Sequence, residues 1–350
     1  MDRNIIKLKI SMKKTLISVF IFSLSFSLMA QENTNNSNVM DSYNEYTSQT
    51  ITLKPDYEGE VTATLISSNA NAGNRKSVLY VHGFIDYFFH GHMGKEFNAN
   101  EFDFYALDLR KYGRSLMEHQ HPNYCKSIEE YYEELTLAIR QIHETSNGEV
   151  ILLAHSTGGL ITSNYMNYGE EKDLVKALVL NSPFFDFNMS AIEKAAALTV
   201  SKPIGGLFKY SKIEGALSPA YAESIHKDYY GEWSFNLDWK PIEGFPTYFK
   251  WIGAIRKGHK NLKKSDIKSP VLVMHSSSSE RISKYSEKAT HQDIVLDIED
   301  IKRVGEKLGS QVTLLEIEDG LHDLFLSKEP VRNKAFQEMF DWLNKLESSE

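Results

Sequence analysis

The strongest signal in the chain is the segment "ILLAHSTGGL", residues 151–160. Three aliphatic residues predict a buried strand, and apolar residues recur at helical spacing after the two glycines, so the pattern is typical of a strand, a sharp turn and a helix. A serine at such a turn projects its hydroxyl above the sheet and needs small residues two positions away on either side. Ser156 has Ala154 and Gly158 at these positions. Ser156 is therefore a candidate nucleophile.

The first 30 of the 350 residues differ from the rest of the chain. Lys13 and Lys14 precede an apolar run that is shorter than the ~20 residues of a membrane-spanning helix. This order predicts a secretory signal peptide that is cleaved near Ala30, so that the protein is exported to the periplasm or beyond and keeps no stable membrane span. A membrane anchor is the alternative. Residues 31–50 are predicted to form a flexible polar leader.

Charge and residue usage exclude several classes of function. The net charge is −8, and removal of residues 1–30, which carry +4, changes it to −12. Such an acidic chain is a poor ligand for nucleic acids. Cys125 is the only cysteine, so an intrachain disulfide is excluded. His90 and His92 lack neighbouring carboxylates or thiolates and are interpreted as polar loop residues, so we predict no metal and no cofactor.

Buried strands alternate with helices along the chain. The helix predicted over 127–144 has a capping box formed by Ser127 and Glu130, and a helix containing Ala335 closes the chain. Besides the strand that ends at Ser156, strands are predicted at 59–69, 77–84, 102–110, 175–185, 269–276 and 311–323. This alternation predicts an α/β fold with a mostly parallel sheet that helices cover on both faces.

The predicted core comprises residues 51–186 and 269–350. Residues 187–268 interrupt the alternation and are rich in large aromatic side chains. We interpret them as an inserted, mainly helical cap (lid) whose inner face lines an apolar pocket over Ser156. Trp233 and Phe249 are the candidate substrate-binding residues of this cap.

A serine nucleophile needs a base and an acid that orients the base, in the chain order Ser, Asp or Glu, His. His322 lies just beyond the last predicted strand and is the candidate base. Asp293 is the preferred acid, and Glu280 and Asp297 remain alternatives, because sequence alone does not fix which loop reaches His322.

The tetrahedral intermediate of acyl transfer needs an oxyanion hole. The backbone N–H of Thr157, at the start of the helix after Ser156, is one candidate donor. The N–H of Phe84 is the second, because it follows the strand that ends at "VHGF". Gly83 leaves room for the backbone to approach the substrate oxygen.

Together these motifs resemble those of the α/β-hydrolase fold. They are "YVHGF" at 80–84, "DLRKYGRS" at 108–115, "AHSTGG" at 154–159 and "GLHD" at 320–323. The resemblance runs from about residue 55 to the C-terminus and is closest to the capped serine hydrolases, which include monoacylglycerol lipases, lysophospholipases and serine aminopeptidases. Three features depart from that group: Ala154 and Lys111 each replace a usual glycine, and Asp293 lies far along the chain from its strand.

This resemblance implies a serine hydrolase that needs no cofactor. It would cleave a small apolar carboxylic ester, such as a monoglyceride or lysophospholipid, through an acyl-enzyme. A peptidase that removes N-terminal residues is one alternative, and it would need an acidic anchor for the substrate amine. The available anchors are Glu214, Glu223, Asp228 and Glu232. A non-catalytic binding protein on the same fold is the other alternative.

Overall fold

The computed structural model describes residues 46–68, 76–146, 148, 150–189, 208–215 and 217–348. The signal peptide predicted for residues 1–30 lies outside the described residues, as does most of the predicted leader. The last residues assigned to that leader are not a flexible segment. Strand β1 (Thr47–Thr52) begins among them because it pairs in antiparallel register with the strand that follows it.

Eight strands form the central sheet in the order β1-β2-β4-β3-β5-β6-β9-β10. The strands after β1 are β2 (Thr62–Ser68), β3 (Ser77–Val81), β4 (Asp103–Asp108), β5 (Val150–His155), β6 (Val175–Asn181), β9 (Val271–Ser276) and β10 (Val312–Ile317). β2 pairs antiparallel with both of its neighbours, and the pairs from β4 to β10 are parallel. The mostly parallel sheet predicted from the sequence is therefore confirmed.

Seven helices accompany these strands in the described part of the chain. They are α1 (Gly91–Ala99), α2 (Tyr132–Ser146), α3 (Thr157–Tyr168), α4 (Ala220–Ile225), α5 (Phe249–Leu262), α6 (Ile298–Gly305) and α7 (Glu329–Glu347). The capping box formed by Ser127 and Glu130 is present, but the first turn after it is a 3-10 turn that leads into α2.

Helices cover both faces of the sheet, as the alternation of side chains along β4 illustrates. Tyr105 and Leu107 join the large core cluster, which also contains residues of α2 and α3. Phe104 points to the other face, where its ring lies 5.7 Å from that of Phe97 in α1, and Phe97 lies 5.1 Å from Phe340 in α7. Successive side chains of a strand point to opposite faces, so β4 contributes to two apolar layers.

The segment predicted as a cap is described only in part, because residues 190–207 and 216 lie outside the described residues. Its described part contains a two-stranded ribbon of β7 (Lys212–Ile213) and β8 (Thr247–Tyr248), followed by α5. α5 packs against α3, and its Trp251 belongs to the main core. None of the helices in the described ranges is both long and apolar enough to span a bilayer.

Candidate active site

Ser156 occupies a strained turn between β5 and α3. Its φ of 51° and ψ of −116° lie in a region that side-chain-bearing residues rarely adopt. Its N–H donates to the carbonyl of Asn181 (3.1 Å), and its carbonyl accepts from the N–H of Phe184 (2.9 Å). A Cβ on Gly158 would lie 2.4 Å from the carbonyl oxygen of His82. Only glycine at position 158 therefore lets α3 approach the loop after β3 this closely. The turn is fixed by this packing and by its hydrogen bonds with Asn181 and Phe184.

The structure brings Ser156, His322 and Asp293 into one hydrogen-bonded series. His322 Nε2 lies 3.1 Å from Ser156 Oγ, and His322 Nδ1 lies 2.8 Å from Asp293 Oδ2. An ionised carboxylate only accepts hydrogen bonds, so the hydrogen lies on Nδ1 of His322, and the Nδ1–H group donates a hydrogen bond to Asp293. Nε2 is then free of hydrogen and accepts a hydrogen bond from the hydroxyl of Ser156. All three side chains are buried. The arrangement is that of a base poised to take the proton of Ser156.

Asp293 is held by its own backbone surroundings. Its Oδ1 accepts from the N–H groups of Val295 and Leu296, each at 2.8 Å, and this leaves Oδ2 for His322. Its backbone N–H donates to the carbonyl of Ser278 and its carbonyl accepts from Glu280, both at 3.0 Å. Asp293 thus lies beside the residues that directly follow β9, although it is many residues further along the chain.

The two alternative acids point elsewhere. Glu280 is exposed and accepts from Lys288 Nζ at 2.6 Å. Asp297 is the N-cap of α6, where its side chain accepts from the N–H of Glu299 at 3.0 Å. Among the three candidates, the carboxylate within hydrogen-bond reach of His322 is that of Asp293.

The loop after β3 lies against Ser156. A Cβ on Gly83 would lie 3.1 Å from Ser156 Cβ, so the absence of a side chain permits this approach. His82 braces the loop: its Nε2 accepts from the N–H of Leu109 (3.0 Å), and its Nδ1 therefore donates to the carbonyl of Gly83 (2.8 Å). Burial lowers the pKa of His82, which agrees with a neutral ring. Phe84 is the next residue after Gly83 in this loop. Thr157 is the first residue of α3, so the N–H of Thr157 has no acceptor within the helix.

A buried polar cluster that the motifs did not predict supports the loop of His322. Asp323, the next residue, accepts from His90 Nε2 (2.9 Å) through one oxygen and from Asn181 Nδ2 (2.7 Å) through the other. Burial favours a raised pKa for Asp323, but His155 and His90 hold the pKa of this carboxyl well below its usual value. This cluster could have been expected from the sequence, because its polar residues follow the ends of predicted strands and the carboxyl ends of parallel strands meet at one edge of the sheet.

A buried ion pair joins the segment before α5 to the loop after β3. Lys240 Nζ lies 2.8 Å from Asp86 Oδ1, and Lys240 is only 4% exposed. His155 lies between the two buried carboxylates, with its Nδ1 3.6 Å from Asp86 and 3.8 Å from Asp323. Burial favours a raised pKa for Asp86, but the charge of Lys240 and contacts with His155 hold that pKa far below its ordinary value.

The histidine pair at 90 and 92 has structural partners. His90 binds Asp323, and His92 Nε2 lies 2.8 Å from the carbonyl of Phe325. Burial lowers the pKa of His92 to about 3. No group of three or more His, Cys, Asp or Glu side chains placed to hold a metal ion occurs in the ranges described.

The two aromatic residues predicted to bind substrate occupy different places. Trp233 stacks on His92, with ring centroids 4.3 Å apart, and its Nε1 donates to the carbonyl of Leu326 (2.8 Å). Phe249 is half-buried at the start of α5, where its N–H donates to Ser211. These contacts fix both residues to the fold, and their binding of substrate stays a prediction.

Three other aromatic residues lie beside the serine turn or contact a residue that does. The ring of Phe84 stacks on Trp251, with centroids 4.1 Å apart, and Phe184 donates its N–H to the carbonyl of Ser156. The rings of Phe184 and Trp251 are nearly parallel at 6.5 Å. Phe84, Trp251 and Phe184 therefore form an aromatic wall next to the serine turn, assembled from three separate parts of the chain.

Comparisons with known proteins agree with this geometry. A family model described as serine aminopeptidase, S33, matches residues 72–329. No curated protein sequence is significantly similar to this chain.

Three solved structures with a similar fold are distant from this chain in sequence. A soluble variant of monoglyceride lipase from Saccharomyces cerevisiae, in complex with a substrate analog, is 16% identical with a TM-score of 0.63, covering 85% of this chain and 95% of that one. The monoacylglycerol lipase of Paleococcus ferrophilus is 20% identical (TM-score 0.57; 80% and 98% covered). A thermostable carboxyl esterase from Bacillus coagulans, in complex with glycerol, is 14% identical (TM-score 0.59; 85% and 98% covered).

Proposed function

Because the chain belongs to the serine aminopeptidase S33 family of α/β hydrolases, we propose that it is a serine hydrolase that cleaves carboxylic esters through an acyl-enzyme. The observation that carries this proposal is the series of hydrogen bonds from Ser156 Oγ through His322 to Asp293. A buried serine in hydrogen-bond contact with a histidine whose other nitrogen faces a carboxylate is the arrangement that activates a hydroxyl for acyl transfer.

Acylation begins when Ser156 Oγ attacks the carbonyl carbon of the ester and His322 Nε2 takes the hydroxyl proton. The developing oxyanion receives hydrogen bonds from the N–H groups of Thr157 and Phe84. Asp293 stabilises the imidazolium through its bond to Nδ1. His322 then gives its proton to the departing alkoxide, and the alcohol leaves as the bond from carbon to Ser156 Oγ remains.

Deacylation repeats these steps with water. His322 Nε2 takes a proton from a water molecule while its oxygen attacks the acyl carbon. When the second tetrahedral intermediate collapses, the proton returns to Ser156 Oγ and the carboxylic acid is released. Each group thus ends in the protonation state in which it began, and no cofactor takes part.

The surroundings of His322 favour an ester over a peptide with a free N-terminus. A peptidase would need a carboxylate free to bind the substrate amine. Of the four candidates, Glu214, Asp228 and Glu232 are exposed, and Glu214 and Glu232 lie 3.0 and 3.2 Å from Lys212 and Arg332. The fourth, Glu223, is half-buried on α4 and is the anchor that a peptidase could use. The two buried carboxylates nearby are already engaged, Asp86 by Lys240 and Asp323 by His90 and Asn181.

The aromatic wall of Phe84, Trp251 and Phe184 favours an apolar acyl group, because burial of a CH₂ group contributes about 0.8 kcal/mol. Trp233 and Phe249 remain candidates for more distant contacts with a longer chain. The names of the similar solved structures, two monoglyceride lipases and a carboxyl esterase, support the same substrate class.

Hydrolysis of p-nitrophenyl esters of increasing acyl length, with aminoacyl p-nitroanilides in parallel, tests the proposal. We expect turnover of the esters that rises with acyl length and falls by up to ~10⁶-fold in Ser156→Ala. Ser348→Ala, at the end of α7, is the matched control and should behave like the wild type. Cleavage of the anilides alone would support the peptidase. A lack of turnover for both classes would support a binding protein.

We also propose that the protein is exported. The order of charged, apolar and polar residues over 1–30 supports a cleaved signal peptide. Expression of the full chain in bacteria, followed by fractionation and determination of the N-terminus, should yield a protein outside the cytoplasm that begins near Gln31. Recovery of the intact chain in the cytoplasm or the inner membrane would contradict export and cleavage.

A further inference from the structure

The connection between β9 and Asp293 is longer than is needed to place Asp293 beside the end of β9. We call residues 279–292 the acid loop. Its two ends are joined, because Asp293 N–H donates to Ser278 and Glu280 N–H donates to Asp293, both at 3.0 Å. A much shorter connection would bring Asp293 to the same place, so the acid loop is available for another role.

The far part of the acid loop packs against α4. Ala289 of the loop, Ala220 of α4 and Ile294 form a small buried cluster separate from the main core, bordered by Ile282, Tyr285 and Tyr221. The ring of Tyr285 also stacks on that of Tyr230, with centroids 3.5 Å apart and planes within 4°. Two contacts therefore tie the loop to the segment that carries α4.

α4 in turn contacts His322. The ring of Tyr221 lies 5.3 Å from that of His322, at an angle of 80°. Tyr221 directly follows Ala220, the α4 residue buried against the acid loop. A helix of six residues is too short to be stable alone, so the contacts of α4 with its surroundings fix the position of Tyr221.

We propose that Tyr221 is a positioning residue for His322 and that the acid loop holds Tyr221 in place through α4. This inference rests on the proposed function, since it assigns Tyr221 to the orientation of the histidine that activates Ser156. The ring is the part that acts, because it makes the contact with His322. The hydroxyl is buried and faces the backbone of Asp323, but it makes no hydrogen bond of ordinary geometry within the described part of the chain.

The orientation of the base affects the rate more than binding of the substrate. Small displacements of reacting groups cost about 10²-fold in rate. Tyr221→Ala should therefore lower kcat by about 10- to 100-fold with little change in KM, whereas Tyr221→Phe, which keeps the ring, should retain the wild-type kcat. Tyr285→Ala should lower kcat less, and Tyr285→Phe should restore it, because the stacked ring returns.

The measurement that reads the positioning directly is the rate at which a fluorophosphonate probe labels Ser156, because it requires the activated serine but no particular substrate. We expect Tyr221→Ala and Tyr285→Ala to lower this rate in the full chain, and both phenylalanine variants to keep it. Tyr229→Ala removes an exposed tyrosine next to Tyr230 and is the matched control. Circular dichroism and Tm identify a variant that has lost its fold, and in that case the phenylalanine and Tyr285 variants carry the test.

The outcomes separate this inference from the proposed function. Wild-type labelling that Tyr221→Ala leaves unchanged, or that Tyr221→Phe lowers as much as Tyr221→Ala, would overturn the positioning role. An effect of Tyr221→Ala on KM alone would also overturn it, since that result indicates a wall of the substrate site. A wild-type protein that is labelled but cleaves no ester would overturn the ester proposal and leave the positioning role measurable. A wild-type protein that is not labelled at all would overturn both.

Discussion

Nε2 of His90 lies 2.9 Å from Oδ2 of Asp323, although 233 positions separate the two residues in the chain. The pair joins the loop after β3 to the loop after β10, and both side chains are fully buried. Asp323 directly follows His322, so this contact fixes the backbone from which the proposed base projects. The position of His322 thus depends on residues that take no part in proton transfer.

Replacement of Asp323 tests how much its carboxylate contributes to the stability of the fold. Asp323→Asn should lower the free energy of unfolding at pH 7 by about 1–3 kcal/mol, because a charged hydrogen-bond partner of buried His90 is lost. The folded-state pKa of Asp323 lies below its unfolded value of about 3.9, so its contribution is present above that value and is lost as the pH falls through the folded pKa. Urea unfolding of both proteins should therefore give a difference in the free energy of unfolding that narrows as the pH falls below about 4. A difference that grows below about pH 4 would contradict this role.

The acid partner of His322 can be tested against a nearby carboxylate. Asp293→Asn should lower kcat by about 10⁴-fold, because the amide no longer fixes the tautomer of His322. Glu280→Gln removes an exposed acid whose backbone lies beside Asp293, and kcat should stay within about twofold of the wild type. Steady-state hydrolysis of a p-nitrophenyl ester measures both. Equal losses in the two variants, or a loss confined to Glu280→Gln, would refute the assignment of Asp293.

The serine turn should tolerate a change at Ala154 better than one at Gly158. In Gly158→Ala the new methyl group would meet the carbonyl oxygens of His82 and Val81 at 2.4 and 2.5 Å, which are backbone atoms that cannot move aside singly. We expect a loss of about 1–3 kcal/mol in stability and of most ester hydrolysis. Ala154→Gly only removes a methyl group and should cost about 1 kcal/mol at most, with activity retained. Tm and kcat for the two variants decide the point, and a fully active Gly158→Ala would show that the turn is less crowded than the structure indicates.

The buried ion pair of Lys240 and Asp86 should be costly to break from one side. Lys240→Met leaves Asp86 buried without its cation, and we expect the free energy of unfolding to fall by about 3–5 kcal/mol at pH 7. The double variant Lys240→Met, Asp86→Asn should recover a large part of this loss, since no unpaired charge remains. Denaturant unfolding of the single and double variants measures this coupling. Additive effects of the two substitutions would contradict a direct interaction.

Local patterns in the sequence predicted much of the fold and the chemistry at its centre. The run from Ile151 to Leu160 predicts β5, the turn and α3, because each depends on residues within a few positions of one another. The strand β1 was missed, since its polar sequence has little apolar alternation and its stability comes from pairing with β2.

Contacts between distant parts of the chain could not be predicted. Asp86 and Lys240 are 154 positions apart, and neither belongs to a motif that indicates the other. The acid loop also shows that separation along the chain is a poor guide to distance in the fold. Sequence distance made Asp293 look remote from β9, but the hydrogen bonds at the base of the loop bring it next to Ser278. Chain length between two residues sets only an upper limit on their separation.

The most direct test of the proposed function is the detection of the acyl-enzyme. The protein is mixed with a p-nitrophenyl ester, quenched in acid within the first turnover, digested and analysed by mass spectrometry. The account predicts one acyl group on the peptide that contains Ser156, and its absence from Ser156→Ala. Turnover without any adduct on that peptide, or an adduct on another residue that accounts for the released p-nitrophenol, would contradict it.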